Sequence, residues 1–268
     1  MLILKKFIKY KTLDFLNLIL QNYQYGVFKS TSYEKIKRLV DSLKINDLGY
    51  NLIRVGPKGD GGYLIPDILD EIDKCYSAGV GEIHGFEEDL FKKNIKIFMA
   101  DKTVNKPNIL GGDFSYLKKN LATYNDNDHI TIDSWMNNSE NKNLILQMDI
   151  EGSEYEIINS ISEKNLKRFK IMVIEFHHFE QIITQLGYTM VSSVINKINK
   201  YFDVSHIHPN NSSTIHKISG IKIPSTLEIT FLNKENSKYK KKINRIPHEL
   251  DYKNKNNYSE IILSDSWY

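Results

Sequence analysis

Asp149 and Glu151 stand one residue apart where the apolar run Leu144-Ile145-Leu146-Gln147-Met148 gives way to Gly152-Ser153-Glu154. Two carboxylates at the end of a buried strand point toward one crevice, where they can bind a cation, orient a hydroxyl or accept a proton. Glu154 and Glu156 read as first-turn helix residues complementing the dipole, and Ser153 with Glu156 reads as a capping box. Glu175, His177 and His178 follow a second apolar run, and His206, His208, Asn210 and Asn211 a third. A histidine beside a strand end is more often structural than catalytic. Such histidines, asparagines and carboxylates facing one cavity, however, are costly to desolvate without partners or ligands.

A glycine-rich turn follows an earlier run, in Tyr76-Ser77-Ala78-Gly79-Val80-Gly81-Glu82-Ile83-His84-Gly85. Gly79 and Gly81 permit a tight turn and let backbone approach a ligand. Asp101 lies twenty residues beyond Gly81, at the end of the next run, where a carboxylate can accept hydrogen bonds from the ribose hydroxyls of an adenosine-containing cofactor. The plain alternative is a tight turn plus a solvated loop aspartate. Glu82, Glu87, Glu88 and Asp89 surround the turn. They would repel a pyrophosphate but suit S-adenosylmethionine, which carries a sulfonium and an ammonium, so the methyl donor is favoured over NAD.

The elements that position these residues alternate as in a parallel α/β sheet. Strands are expected at 74–78, 96–100, 144–148, 171–174, 202–206 and 226–231, and helices at 87–94, 154–162 and 179–200. The ligands of such folds bind at the carboxyl ends of the strands. A chain of 268 residues with 41% hydrophobic and 26% charged residues can build a real core, which excludes a mainly disordered chain. The lone Cys75 excludes a disulfide scaffold, and a net charge of +3 argues against a general nucleic-acid coat. Basic or acidic residues interrupt every apolar run near the N-terminus, so neither a transmembrane span nor a signal peptide is expected. Residues 1–24 instead suit an amphipathic helix with Leu2, Phe7, Leu13, Phe15, Leu16, Leu18 and Ile19 near one stripe, docked on the body or on a second copy. A second helical run spans 33–43.

The run LILQMDIEGSEYEII, with ITIDSW before it and IMVIEFHHFE after it, resembles the FkbM-type class I S-adenosylmethionine-dependent methyltransferases. Within them it is most similar to bacterial sugar O-methyltransferases of capsule and surface-polysaccharide synthesis. RVGPKGDGGYLIP, HIHPNN, IPSTLEITFLNK and PHELDY extend the resemblance over roughly residues 50–262, while YSAGVG departs from the D-x-G-A-N form of the family's first motif. The resemblance implies a Rossmann-like, doubly wound, mostly parallel sheet and methyl transfer to an oxygen. Gly79, Gly81, Asp101 and Asp149 would hold the cofactor, with Asp60, Gly61, Gly62 and Tyr63 beside it.

A sugar hydroxyl is a poor nucleophile and needs a base, for which His177 is the first choice and Asp149 the competitor. Glu151 and His208 complete the expected catalytic set. Glu175, His178, His206, Asn210 and Asn211 are expected to meet substrate. Asp149, Glu175 and His208 could hold Mg²⁺ or Mn²⁺, although no ligand spacing is diagnostic. In the tail, Lys234, Lys238, Lys240, Lys241, Lys242 and Arg245 form either a solvated face or, with Arg54 or Lys58, a site for the pyrophosphate of a nucleotide sugar. Tyr239, Tyr252, Tyr258, Trp267 and Tyr268 could stack on a base or sugar face.

The expected organisation is a helical extension (1–50), a methyltransferase core (51–232) and a basic, aromatic segment (233–268) covering the substrate. The expected protein is a cytoplasmic, homo-oligomeric enzyme methylating a nucleotide-linked sugar such as a GDP-heptose, without nucleic-acid partners. The alternatives are an NAD-dependent oxidoreductase acting on a nucleotide sugar and a non-enzymatic member of a polysaccharide assembly complex.

Overall fold

The computed structural model describes residues 2–108, 114–136, 142–243 and 246–267, with side-chain surroundings from residue 11 onward. Arg245 and Tyr268 lie outside the described residues.

Seven strands form the central sheet: β1 (Lys74–Ala78), β2 (Lys96–Ala100), β3 (Ser115–Leu117), β4 (Leu144–Met148), β5 (Phe169–Phe176), β6 (Phe202–Pro209) and β7 (Leu227–Asn233). Their spatial order is β6-β7-β5-β4-β1-β2-β3. From β5 through β4, β1 and β2 to β3 the pairing is parallel, whereas β7 runs antiparallel to both of its neighbours, β5 and β6. The carboxyl ends of β1, β2, β4, β5 and β6 therefore open along one edge, and β7 brings its first residues, Leu227 and Glu228, to that same edge.

Alternation sends successive side chains of the central strands into two cores. Leu144, Leu146, Met148, Met172, Ile174 and Phe176 enter one, and Ile145, Ile171 and Val173 enter the other. That is why β4 and β5 are apolar on both faces. The first core is closed by α2 (Tyr33–Asp41), α5 (Glu154–Ser160) and α7 (Gln185–Asn199), through Ile36, Leu39, Val40, Ile157, Ile158, Val191, Val194, Ile195 and Ile198. The second is closed by α3 (Gly85–Lys92) and a hairpin of Leu52–Val55 and Tyr63–Pro66, through Phe86, Leu90, Val55, Tyr63 and Ile65. Truncating one such buried leucine to alanine would cost about 2–5 kcal/mol. Two short helices, α4 (Ile132–Trp135) and α6 (Glu163–Leu166), flank this framework.

The expected strands at 74–78, 96–100 and 144–148 have those bounds in the structure. β5 and β6 run further than expected, so that Glu175 and Ile207 to Pro209 lie within strands instead of beyond them. The helix expected over 179–200 is broken: Phe179–Ile183 is a 3-10 turn, and α7 starts afresh where the Thr184 side chain accepts from Gly187 N. A capping box at Ser153 is not formed. Ser153 has helical dihedrals and makes no side-chain cap.

The first helix, α1 (Leu2–Leu20), departs from its expected docking. Over its described side chains Phe15 is 62% exposed and Leu18 65%, with Leu16 and Ile19 also exposed, so this part does not bury its apolar residues on the body. No helix among the described residues is long and apolar enough to cross a membrane. At the other end, Trp267 is fully buried, with its indole N–H donating to Lys222 O and its ring against Phe179. It plugs the core and is not available to stack on a ligand.

Candidate active site

Strand register places the chemical residues in one row along the carboxyl edge. Ala78 pairs with both Met148 and Ala100, so Gly79, Asp149 and Asp101 follow side by side. On the far side Glu228 pairs with both Glu175 and His208. The strands meet so closely at Gly79 (φ +75°) that a Cβ there would stand 1.5 Å from the Asp149 carbonyl oxygen. Any side chain at residue 79 would push the two strand ends apart. Gly81 N donates to Asp101 Oδ2 (3.0 Å), and Thr103 donates to Oδ1 through its amide (2.7 Å) and its hydroxyl (2.6 Å). Burial works against charge on Asp101, but these donors outweigh it and hold its pKa below the usual range.

A cavity of about 560 Å³ opens over this row. Its walls carry seven carboxylates (Asp60, Glu82, Glu87, Asp101, Asp149, Glu151 and Glu156) and, among the described residues, no lysine or arginine. Tyr63, Ile83, Phe86, Leu121 and Tyr124 supply apolar surface. A pyrophosphate there would meet like charge on every side, whereas a cation would be attracted. The NAD alternative therefore does not fit this cavity.

The turn after β4 is built around Glu154, whose place in the first helical turn was expected but whose burial was not. Glu151 has a left-handed backbone (φ +56°) and Gly152 follows at φ +111°. A non-glycine residue in that region carries about 1–3 kcal/mol of strain and persists where surrounding structure over-determines it. The determinant is Glu154, fully buried, whose Oε1 accepts from Ile150 N (3.1 Å), Gly152 N (3.1 Å) and His177 Nδ1 (3.0 Å). Burial raises its pKa, but the His177 bond and the amides prevail and keep it low. Glu154 stands in the first turn of α5, as expected, but is buried there and bonded to the turn before it and to His177. The signal available was its place in the run, two residues beyond Gly152 and facing the buried side of α5.

With Nδ1 fixed by Glu154, His177 turns Nε2 toward Glu151 Oε2 (3.5 Å), Asp149 Oδ1 (3.8 Å) and Glu175 Oε1 (4.0 Å). Desolvation opposes its charge, yet the Glu154 bond and the fields of Glu154, Asp149 and Glu151 raise its pKa. This direction works against the neutral base that the sequence suggested. Asp149 is pushed up to about 7, first by burial and then by the nearby carboxylates, with His177 pulling the other way. Its Oδ1 is buried without a hydrogen-bond partner among the described residues. Asp149, Glu151 and His177 offer ligand atoms within 4.8 Å of one another, a donor set that a divalent cation could accept.

The expected metal set of Asp149, Glu175 and His208 has a different fate. His208 uses Nδ1 on Glu228 (3.1 Å) and Nε2 on Glu260 (3.1 Å), leaving no lone pair for a metal or a proton. Burial opposes this charge, but the two carboxylates raise the pKa to about 10. His206 binds Asp251 (2.8 Å), and Asn211 donates to the carbonyls of Lys255 and Tyr258. His206, His208 and Asn211 therefore anchor the C-terminal segment to β6 and the loop after it, and are not presented to a substrate. Asn210 donates to Glu175 Oε1 (2.9 Å). Glu175, buried first and then crowded by Glu228 and Asp149, is held well above the usual carboxylate range. His178 is exposed at the rim, its ring against Gly152.

The hairpin turn is more structural than expected. Gly61 and Asp60 line the cavity, but a Cβ on Gly62 would stand 2.0 Å from Pro57 O, so this glycine serves the turn's own packing. Asp60 accepts from Lys255 Nζ (3.1 Å) and Asn254 Nδ2 (3.4 Å), tying hairpin to tail. Arg54 spends its donors on the carbonyls of Pro57, Leu250 and Gly59. Lys234 and Lys240 bind Asn199 O and Asp203, and with Lys242 they line a groove at the opposite edge of the sheet. That edge is remote from the row at Asp149, so these lysines cannot meet a ligand bound there.

Residues 72–208, from just before β1 to the last turn of β6, match the methyltransferase FkbM domain. The chain belongs to the FkbM methyltransferase family. The FkbM match thus takes in Gly79, Asp101, Asp149, Glu154 and His177, while the hairpin, Glu228 and the C-terminal anchors lie outside it. No curated protein matches the chain. Among solved structures, a candidate RNA methyltransferase from Pyrococcus horikoshii shares 11% identity, covering 76% of this chain and 98% of that one, at a TM-score of 0.31. A likeness of that degree carries no argument about fold or substrate.

Proposed function

We propose that this methyltransferase takes its methyl group from S-adenosylmethionine and delivers it to a sugar hydroxyl, the sugar being nucleotide-activated and destined for capsular or surface polysaccharide. The observation that carries the reading is the cavity at Gly79 and Asp149, rich in carboxylates and lined by no described lysine or arginine, which suits a donor bearing a sulfonium and an ammonium. Gly79 and Gly81 would lie against the donor, and the ionised Asp101, with lone pairs to spare, would take its ribose hydroxyls. When bound, the donor supplies an activated methyl group on a sulfonium.

The chain's own task is to position the acceptor and remove its proton. Asp149 is the base of this reading in place of His177: its Oδ1 is unpartnered, and a pKa near 7 suits proton transfer at neutral pH. His177, oriented by Glu154, stabilises the charge on Asp149 between turnovers. Glu151, Glu156 and His178 at the mouth would hold the sugar. Lys58 and Lys255, at the rim beside Tyr252 and Asp60, would face the pyrophosphate. Residues 233–268 would cover the substrate, residues 51–232 would form the catalytic core, and residues 1–50 would join copies of the enzyme through α1. A cytoplasmic enzyme fits the free Cys75.

Incubation with S-adenosylmethionine and a panel of nucleotide sugars, GDP-heptoses first, is expected to give a product heavier by one methyl substitution in mass spectra. A Mg²⁺ or Mn²⁺ requirement in that assay would add the Asp149, Glu151 and His177 cluster as a metal site. Donor binding with no methylated sugar in the panel would overturn the sugar reading.

A further inference from the structure

Glu87 is on α3 but does not face solvent. It is 2% exposed and lies against β1, where the Ser77 hydroxyl stands between Glu87 Oε1 and Gln147 Oε1 (2.7 Å from the latter). The other carboxyl oxygen, Oε2, is buried and has no hydrogen-bond partner among the described residues, and the residue lines the cavity beside Val80 and Gly81. Ser77 has one hydrogen and two acceptors, so an ionised Glu87 leaves an acceptor unmet on each side. The charged and titratable groups nearest to it are Glu88 on its own helix and the Cys75 thiol on β1, and neither supplies a positive charge. A buried carboxyl on the wall of a ligand cavity, with one oxygen unmet, is matched by a ligand that brings both positive charge and N–H donors.

We propose that Glu87 is the acceptor for the ammonium group on the amino-acid arm of the methyl donor. The inference rests on the donor reading above and deepens it. A sulfonium has charge but no hydrogen to donate, and ribose or adenine has donors but no charge. The ammonium alone satisfies both needs of Oε2 and leaves the Ser77 hydrogen free for Gln147. Among the acids that surround the glycine turn in sequence, Glu82, Glu88 and Asp89 are solvent-accessible, which leaves Glu87 as the one held dry. Burial raises the Glu87 pKa to about 7, so part of the ligand-free protein carries a proton there that an incoming ammonium displaces into the solvent.

The test is calorimetric titration of the intact chain and its Glu87→Gln variant with S-adenosylhomocysteine and with 5′-methylthioadenosine, which keeps the adenosine thioether but lacks the amino-acid arm. The substitution keeps the shape of the neutral side chain. It is expected to weaken S-adenosylhomocysteine at least about tenfold, as loss of a charge-assisted bond implies, and to leave 5′-methylthioadenosine within about twofold. The parent protein is further expected to release a proton with the first ligand, seen as a buffer-dependent heat at pH 7 that Glu87→Gln abolishes. Equal weakening of both ligands, or no weakening of either, would overturn the role of Glu87 while leaving the donor reading intact. Binding of neither ligand by the parent protein would overturn the donor reading and this inference with it. Should Glu87→Gln unfold, Ser77→Ala with the same ligands keeps the carboxylate, and retention of the proton release there is expected. Its loss would count against Glu87.

Discussion

At the scale of single residues, proton chemistry in the site is divided by environment. Glu154 collects three donors and stays charged, Asp149 has an oxygen that collects none and rises to about 7, and His177 between them is drawn toward its cation. If Asp149 takes the hydroxyl proton, Asp149→Asn should lower turnover by about 10²-fold or more while donor affinity stays within about threefold, measured by initial rates and calorimetry. His177→Ala should lower turnover at least about tenfold with near-normal donor binding. A larger loss for His177→Ala than for Asp149→Asn would return the base role to the histidine. The residue types were readable in the sequence, but the roles were not. His177 and His208 look alike in a string, and the difference between one turned toward Asp149 and Glu151 and one caught between Glu228 and Glu260 is decided by a C-terminal segment far away along the chain.

At the scale of elements, the turn between β4 and α5 fixes the geometry. Its left-handed pair, Glu151 and Gly152, is held by the Glu154 carboxylate and not by the Ser153 hydroxyl. Glu154→Gln should therefore cost about 1–3 kcal/mol, seen as a fall of several degrees in Tm, and should lower turnover as well because His177 loses its orienting partner. An unchanged Tm would mean that the turn is determined elsewhere. β1, β2 and β4 were legible because their runs are apolar on both faces and end in glycine or aspartate. The extensions of β5 and β6 were hidden because Glu175 and His208 are polar residues inside strands, neighboured by Glu228 on β7 and by the C-terminal segment. The break before α7 was missed because hydrophobic periodicity runs through the 3-10 turn, and the Thr184 cap signals it only weakly.

At the scale of the whole molecule, raised acids make the ligand-free protein pH-sensitive. Glu87 and Asp149, near 7, and Glu175, higher than its usual range, keep protons in the fold that they would lose near pH 4 in the unfolded chain. Between about pH 4 and 7 the folded state binds more protons, so stability falls as pH rises through that window. His208 acts in the same direction: its contribution is complete below about pH 6.5 and is lost as pH climbs toward about 10. Thermal unfolding of the ligand-free protein should show a higher Tm at pH 5 than at pH 8, and the reverse order would contradict these assignments. The donor, by pairing with Glu87, should narrow the difference. The account stands most directly on what the cavity binds. Calorimetric titration at pH 7.5 with S-adenosylhomocysteine and, separately, with NAD⁺ is predicted to show saturable binding of the thioether and none of the dinucleotide. Binding of NAD⁺, or no heat with the thioether, would contradict it.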